Sequence, residues 1–316
     1  MPSYYLKWIG PVLPQTHTQG AGLSVEGLFA WVNEHLSKVG APILLSNSGV
    51  TFMPRFEPKE SLHICYALSF ENHDQAEDFR TSLWDEHLSE MSSLPYALSF
   101  VSEEASKIPK RLCVFDMDST LIDQEVIDEL ARMKGVFEEI SILTEAAMRG
   151  ELDFTQSLKA RVAYLKGMPL FEARTLLTSL TLSPGADDLL RTLHHQNTFT
   201  AVVSGGFDFV LNHFQRQLGL GQVHAHHLLT DEDGMLTGEV EEPIIDAVGK
   251  QKFVHDLKER QNCTSAQTIV VGDGANDILM MKEAGLSVSF CGKPKLANEV
   301  NTLIFDRNLL WIKHLL

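Results

Sequence analysis

Nothing in this chain of 316 residues is apolar for long enough to cross a bilayer. A spanning helix needs about 20 consecutive apolar residues, and no run approaches that. The amino terminus, Met1-Pro2-Ser3-Tyr4-Tyr5, lacks the charged start and apolar stretch of a secretory signal, so a cytoplasmic protein is expected. Cysteine is scarce: Cys65, Cys113, Cys263 and Cys291 are far apart, form no C-x-x-C pair and mostly lie in or beside apolar runs. That reads as reduced, buried thiols. Positive charge is scarce too. With 26 Lys and Arg against 42 Asp and Glu, the net charge is −16, which argues against nucleic acid or an anionic membrane as partner. An anionic substrate would need local cations to overcome that field. What the chain does have is a hydrophobic fraction of 44%, enough for ordinary cores, and a length beyond the usual single domain.

Two domains are therefore expected, at 1–104 and 105–316. In the first, Val25, Leu28, Phe29, Val32, Leu36 and Val39 follow helical spacing and stop at Gly40. Leu62, Ile64, Tyr66, Leu68 and Phe70 alternate as in a half-buried strand. A helix from Gln75 to about Leu88 and a strand around Tyr96 to Val101 complete a small α+β unit, ferredoxin-like in outline. The pentapeptide Tyr-Ala-Leu-Ser-Phe occurs at 66–70 and again at 96–100. Polar residues 102–107 read as a linker. Beyond Lys110, strand-like runs alternate with helices, which implies an α/β fold built on a doubly wound parallel sheet. Between about 125 and 182 the strand signal vanishes, and the chain reads as helical with breaks at Gly135, Gly150 and Gly167-Met168-Pro169. This is a helical cap inserted in the α/β domain, and a lid is its natural use.

The chemistry concentrates where the strands end. Leu112-Cys-Val-Phe-Asp-Met-Asp-Ser-Thr-Leu121 is a short apolar run closed by two aspartates one residue apart. Open α/β folds place ligands at that end of a strand, and two carboxylates so close repel unless a cation or shared proton compensates. Gly272-Asp-Gly-Ala-Asn-Asp277 repeats the pattern after a second apolar run, and its carboxylates suit a hard ion such as Mg2+. Ser204-Gly-Gly-Phe-Asp208 offers a hydroxyl and amides to an anion. Lys250 could add a point charge for phosphate. In the cap, Phe154, Leu158, Arg161 and Leu165 share one helix face. An inward arginine is costly unless it meets an anion, and its planar fork suits a carboxylate. It could instead pair with Glu145 or Glu151 inside the cap. Glu125 could meet an ammonium group or be a plain helix-start carboxylate. His224, His226 and His227 lack partners at zinc-ligand spacing and read as strand and turn histidines. Residues 231–234, Asp-Glu-Asp-Gly, read as a hairpin turn.

In spacing and order, D-M-D-S-T, S-G-G-F-D, the later lysine and G-D-G-A-N-D resemble the haloacid dehalogenase superfamily of aspartyl-phosphate-forming phosphatases, over about residues 110–300. The longer strings D-M-D-S-T-L-I-D-Q-E-V-I-D-E-L-A, M-R-G-E-L-D-F and S-L-K-A-R-V narrow the likeness to its phosphoserine phosphatase family. That resemblance implies Asp116 as nucleophile and Asp118 as general acid/base. It implies Mg2+ held by Asp116, the Asp118 carbonyl and Asp273, with Asp277 in support. Glu125 would bind the substrate amine and Arg161 its carboxylate. Met148 and Phe154 would cover the substrate, and Ser204, Gly205, Lys250 and Asn276 would complete the pocket. The expected reaction is hydrolysis of O-phospho-L-serine, with serine biosynthesis as its setting. Phosphoryl transfer to another amino-acid hydroxyl, and amino-acid sensing by the amino-terminal unit, which resembles an ACT-like extension, are the competing readings. The expected partner is a small molecule, and a homodimer is compatible with the sequence.

Overall fold

The computed structural model describes residues 2–11, 51–56, 59–70, 72–91 and 97–316. The helix expected over 25–39, its stop at Gly40, and Tyr96 lie outside them. Twelve strands are described: β1 (Ser3–Pro11), β2 (Thr51–Phe56), β3 (Lys59–Ser69), β4 (Ala97–Ser102), β5 (Leu112–Phe115), β6 (Phe199–Phe207), β7 (Gln222–His226), β8 (Leu228–Thr230), β9 (Leu236–Val240), β10 (Thr268–Gly272), β11 (Leu286–Phe290) and β12 (Thr302–Ile304). The chain divides into two compact units, one formed by 1–110 with 263–316 and the other by 111–262.

In the first unit, strands run in the order β2-β3-β1-β4-β12-β11-β10. β10, β11 and β12 are parallel, and every β10 and β11 residue is buried, as in a sheet covered on both faces. β12 then pairs antiparallel with β4, where the hydroxyls of Ser99 and Thr302 meet at 2.8 Å. Residues 66–69 of the first copy of the repeated pentapeptide lie in β3 and residues 97–100 of the second in β4, on either side of β1. Phe70 and Phe100, the last residues of the two copies, pack edge-to-face at 5.9 Å beside Tyr4. The helix His73–Met91 buries Ala76, Phe79, Leu83 and Trp84, and Arg80 and Trp84 donate to the Val300 carbonyl at 2.9 and 3.2 Å. The expected linker at 102–107 is instead a short helix, Glu103–Lys107. Ser102 caps it by accepting from Ala105 N at 3.2 Å, the ordinary role of serine at a helix start.

In the second unit, β5, β6 and β7 are parallel. Helices Ala186–His195, Asp208–Leu218 and Ala247–Arg260 accompany them. The first of these is amphipathic, with Leu189, Leu190 and Leu193 buried while Asp187 and Asp188 pair with Arg191 at the surface. The expected cap is helical: Val126–Lys134, Phe137–Met148, Phe154–Ala163 and Leu170–Ala173. Gly135, Gly150 and Gly167 break it with φ of 76°, 79° and 79°. Its third helix stops at Ala163, so Leu165 lies in the following turn rather than on the helix face shared by Phe154 and Arg161. The hairpin β8–β9 turns through residues 231–235, where Asp231 N donates to Met235 O at 2.9 Å. It joins the cap through Gly167 N to Leu236 O at 2.7 Å and Leu236 N to Met168 O at 2.8 Å.

The thiols are free at Cys113, Cys263 and Cys291. Only Cys113 is buried among these, which corrects the expectation of generally buried cysteines: Cys263 precedes β10 in a loop and Cys291 follows β11. No described helix is long and apolar enough to cross a membrane.

Candidate active site

β5 is buried along its length and delivers Asp116 at its carboxyl end. The chain then makes a wide turn in which Ile122 N donates to Met117 O at 3.0 Å and Ser119 N to Gln124 O at 3.2 Å. Ser119 takes φ 54°, a region uncommon for residues other than glycine. This turn separates the environments of two carboxylates that are one residue apart. Asp116 Oδ1 accepts from Met117 N at 2.8 Å and lies 2.8 Å from Lys250 Nζ. Both side chains of that ion pair are sealed, at 1% exposure for Lys250 and 7% for Asp116. The lysine is carried by the helix Ala247–Arg260, which Asp246 starts by accepting from Gly249 N at 2.8 Å.

Asp118 is different. Loss of water raises its carboxyl well above the usual carboxylate range, and the nearby charges of Glu125 and Asp116 push the same way. The Val126 N–H, 3.4 Å from Oδ1, and Lys250 oppose the rise. A charged Asp116 beside a protonated Asp118 is the pairing that nucleophile and proton donor need.

The segment Ser204-Gly-Gly, read from sequence as a loop, is instead the irregular end of β6, whose register with β7 shifts between Val203 and Phe207, and it closes over these groups. A Cβ on Gly206 would stand 2.7 Å from Asp118 Oδ2, and one on Gly205 would stand 2.9 Å from the ring of Phe154. Only glycine lets the backbone approach so closely. Phe154 is half-buried, with its ring against Gly205. Met148 ends its helix, and its side chain lies outside the described residues.

Glu125 occupies the start of the helix Val126–Lys134 but makes no capping bond there. Its exposed carboxylate accepts instead from Ser119 Oγ at 2.8 Å. Arg161 is half-buried and donates to Ser157 O at 3.3 Å. Burial lowers its pKa, while Glu125, Asp128 and Asp118 pull it back up. Glu145 and Glu151, the alternative partners for Arg161, both pair with Arg149. Among the described residues, Arg161 has no ion pair.

Asp116, Asp118, Glu125, Phe154, Arg161, Ser204, Gly205 and Lys250 thus all lie in the 111–262 unit. Asp273, Asn276 and Asp277 lie in the other, just past β10. There Asp277 is fully buried and its Oδ2 accepts from Asp273 N at 3.2 Å and Gly274 N at 3.0 Å. One of its oxygens therefore orders the loop that presents Asp273.

The model of the haloacid dehalogenase-like hydrolases matches residues 110–285. The chain belongs to that family. Within the hydrolases, it is similar to the phosphoserine phosphatase of Methanocaldococcus jannaschii, at 40% identity over 200 residues, covering 63% of this chain and 94% of that protein. A solved structure of a phospho-aspartyl intermediate analogue of phosphoserine phosphatase is 39% identical, with TM-score 0.62, covering 66% of this chain and 99% of that one. A crystal structure of a HAD family hydrolase from Salmonella enterica serovar Typhi, at 24% identity and TM-score 0.72, covers 98% of both chains and shares the fold.

Two contributors were not legible as site residues. The Val126 amide on Asp118 is a backbone group and leaves no mark in sequence. His226, which lies in β7 with His224 while His227 follows it, touches the Ser204 segment, and nothing in the run His224-Ala-His-His227 distinguishes it from its neighbours.

Proposed function

We propose that this chain hydrolyses O-phospho-L-serine to L-serine and phosphate through an aspartyl phosphate on Asp116. The observation that carries the reading is the contrast between adjacent carboxylates: Asp116 buried beside the Lys250 ammonium, Asp118 half-buried with its pKa raised by desolvation and by the charges of Glu125 and Asp116. Asp116 attacks phosphorus, the bond from phosphorus to the serine oxygen breaks, and Asp118 gives its proton to that oxygen. Asp118, now a carboxylate, takes a proton from water as the water attacks the aspartyl phosphate, and the Asp116 carboxylate is released. Lys250 and the Ser204 segment hold the equatorial phosphoryl oxygens, where charge spreads in a loose transition state.

The donors assigned to a metal are oxygens only, a set that fits a hard divalent cation, and Mg2+ is the ion we assign. Asp116, the Asp118 carbonyl and Asp273 would hold it, with Asp277 in support through the loop it orders. Bound there, the ion supplies charge neutralisation for the phosphoryl group. At the far end of the substrate, Arg161 takes the carboxylate and Glu125 the ammonium, while Met148 and Phe154 cover the ligand and Asn276 completes the pocket. The guanidinium of Arg161, which has no ion pair among the described residues, and the missing cap bond of Glu125 support this assignment. The reaction releases L-serine, so serine biosynthesis in the cytoplasm is its proposed setting. The division into a 1–104 extension and a 105–316 phosphatase domain belongs to the same proposal.

The test is phosphate release from O-phospho-L-serine, phosphoethanolamine and 3-phosphoglycerate, with Mg2+ and with EDTA. The second compound lacks the carboxylate and the third the amine. Metal-dependent turnover strongly favouring phosphoserine is expected. Equal rates on all three would keep a phosphatase and discard the substrate.

A further inference from the structure

His226 is 2% exposed, and both its ring nitrogens are used. Nδ1 lies 3.0 Å from the carbonyl oxygen of Gly205, and Nε2 lies 2.7 Å from the amide nitrogen of Ile245. A carbonyl can only accept and an amide N–H can only donate. The imidazole is therefore neutral, with its proton on Nδ1, and it bridges two segments far apart in sequence. Burial also lowers its pKa, favouring the neutral form.

Each segment carries one of the groups assigned to phosphate. In a trans peptide the C=O and the following N–H point in opposite directions. Drawing Gly205 C=O toward the imidazole therefore turns Gly206 N–H away from it, and that N–H donates to Ser204 Oγ at 2.8 Å. With Oγ accepting from that N–H, the Ser204 hydroxyl proton is left to be donated to an anion. On the other side, Ile245 immediately precedes Asp246, which starts the helix carrying Lys250. Lys250 Nζ in turn lies 2.8 Å from Asp116.

We infer that His226 is a positioning residue for the phosphoryl group, fixing the Ser204 hydroxyl and the Lys250 helix relative to each other through one imidazole. The inference rests on the phosphatase reading above. It makes a selective claim: the phosphate end of the substrate depends on His226, and the amino-acid end, held by Glu125 and Arg161, does not.

Product inhibition separates the two ends. On the full chain with Mg2+ and O-phospho-L-serine, inhibition constants for inorganic phosphate and for L-serine are measured in wild type, His226→Phe and His226→Gln. Phenylalanine keeps a buried ring and removes both hydrogen bonds. Glutamine keeps one donor and one acceptor. His226→Phe is expected to weaken phosphate inhibition about tenfold, the size of losing one ordinary buried hydrogen bond, while serine inhibition stays within about twofold. His226→Gln is expected to recover most of the loss. Equal weakening toward both products, or wild-type phosphate inhibition in His226→Phe, would overturn the inference. If circular dichroism shows His226→Phe unfolded, His226→Asn decides: its shorter stem cannot span both partners, so phosphate inhibition alone should weaken, and wild-type behaviour overturns the proposal. A wild-type chain that releases no phosphate from phosphoserine defeats the parent reading instead, before any variant is made.

Discussion

Lys250 and Lys110 are both buried lysines, one in each unit, and they are buried on different terms. Lys250 faces a carboxylate, with its Nζ 2.8 Å from Asp116. Lys110 is 5% exposed and donates to main-chain carbonyls, those of Ala105 and, at 2.7 Å, Ala266. Carbonyl dipoles do not replace the hydration of an ammonium as a full negative charge does. Burial, with the repulsion of Lys7, accordingly lowers Lys110 to about 8. Burial of a cation is thus not by itself a sign of chemistry. Lys250 stands beside a carboxylate at the end of a parallel strand, whereas Lys110 reaches the carbonyls of two short helical turns, Glu103–Lys107 and Ser265–Gln267.

The largest expected effect comes from breaking the Lys250 side of that comparison. Under the proposed mechanism Lys250→Met removes a phosphoryl contact, and it takes the ammonium away from beside the buried Asp116 carboxylate. We expect kcat/KM for phosphoserine to fall at least about 10³-fold. Removing one partner of a sealed pair should also cost about 3–5 kcal/mol of stability, read from urea unfolding. Unchanged stability together with lost activity would mean that the pair is catalytic only.

Arg161 sharpens the comparison as an intermediate case. It is a half-buried cation, with Glu125, Asp128 and Asp118 as the charges that pull up its pKa but no ion pair among the described residues. Substrate carboxylate would supply the partner that the protein withholds. In Arg161→Ala we expect kcat/KM on phosphoserine to drop about 10²-fold, as for a lost charge-assisted bidentate contact. Phosphoethanolamine, which has no carboxylate, should be affected far less. The same drop on both compounds would remove Arg161 from substrate recognition.

Much of this was readable from sequence because local signals agree with their surroundings. A buried parallel strand is a run of apolar residues ended by a polar one, so β5 and β10 announce themselves at Asp116 and Asp273, while β6 runs on past the expected stop at Ser204 to Phe207. The cap's breaks fall at Gly135, Gly150 and Gly167, where a left-handed backbone is needed. Non-local pairing has no such mark. Nothing in Ala97–Ser102 says that it will lie against Thr302–Ile304, and the two copies of the pentapeptide do not reveal that the strands they enter flank β1. Whether Arg161 would take Glu145 or Glu151 was likewise open, and Arg149, which the sequence reading did not consider, pairs with both. His226 was unreadable for a related reason. Its two partners are backbone atoms 21 and 19 residues away, and a backbone amide looks alike in every sequence.

Lys110 gives the smallest effect and the cleanest sign. Its folded pKa of about 8 lies below its ordinary 10.5, so between those values the unfolded chain binds more protons than the folded one. Stability contributed by this group must therefore rise with pH across that window. The gain between pH 7 and pH 9.5 is about 2 kcal/mol for a shift of this size. Other groups titrate over the same range, so the useful quantity is the difference between wild type and Lys110→Met, whose side chain has similar length and no charge. Wild type should gain on the variant as pH rises, in urea midpoints compared at constant ionic strength. A difference that stays flat would show that the two carbonyls hold the ammonium as well as water does, and the contrast with Lys250 would then lie in chemistry alone rather than in electrostatic cost.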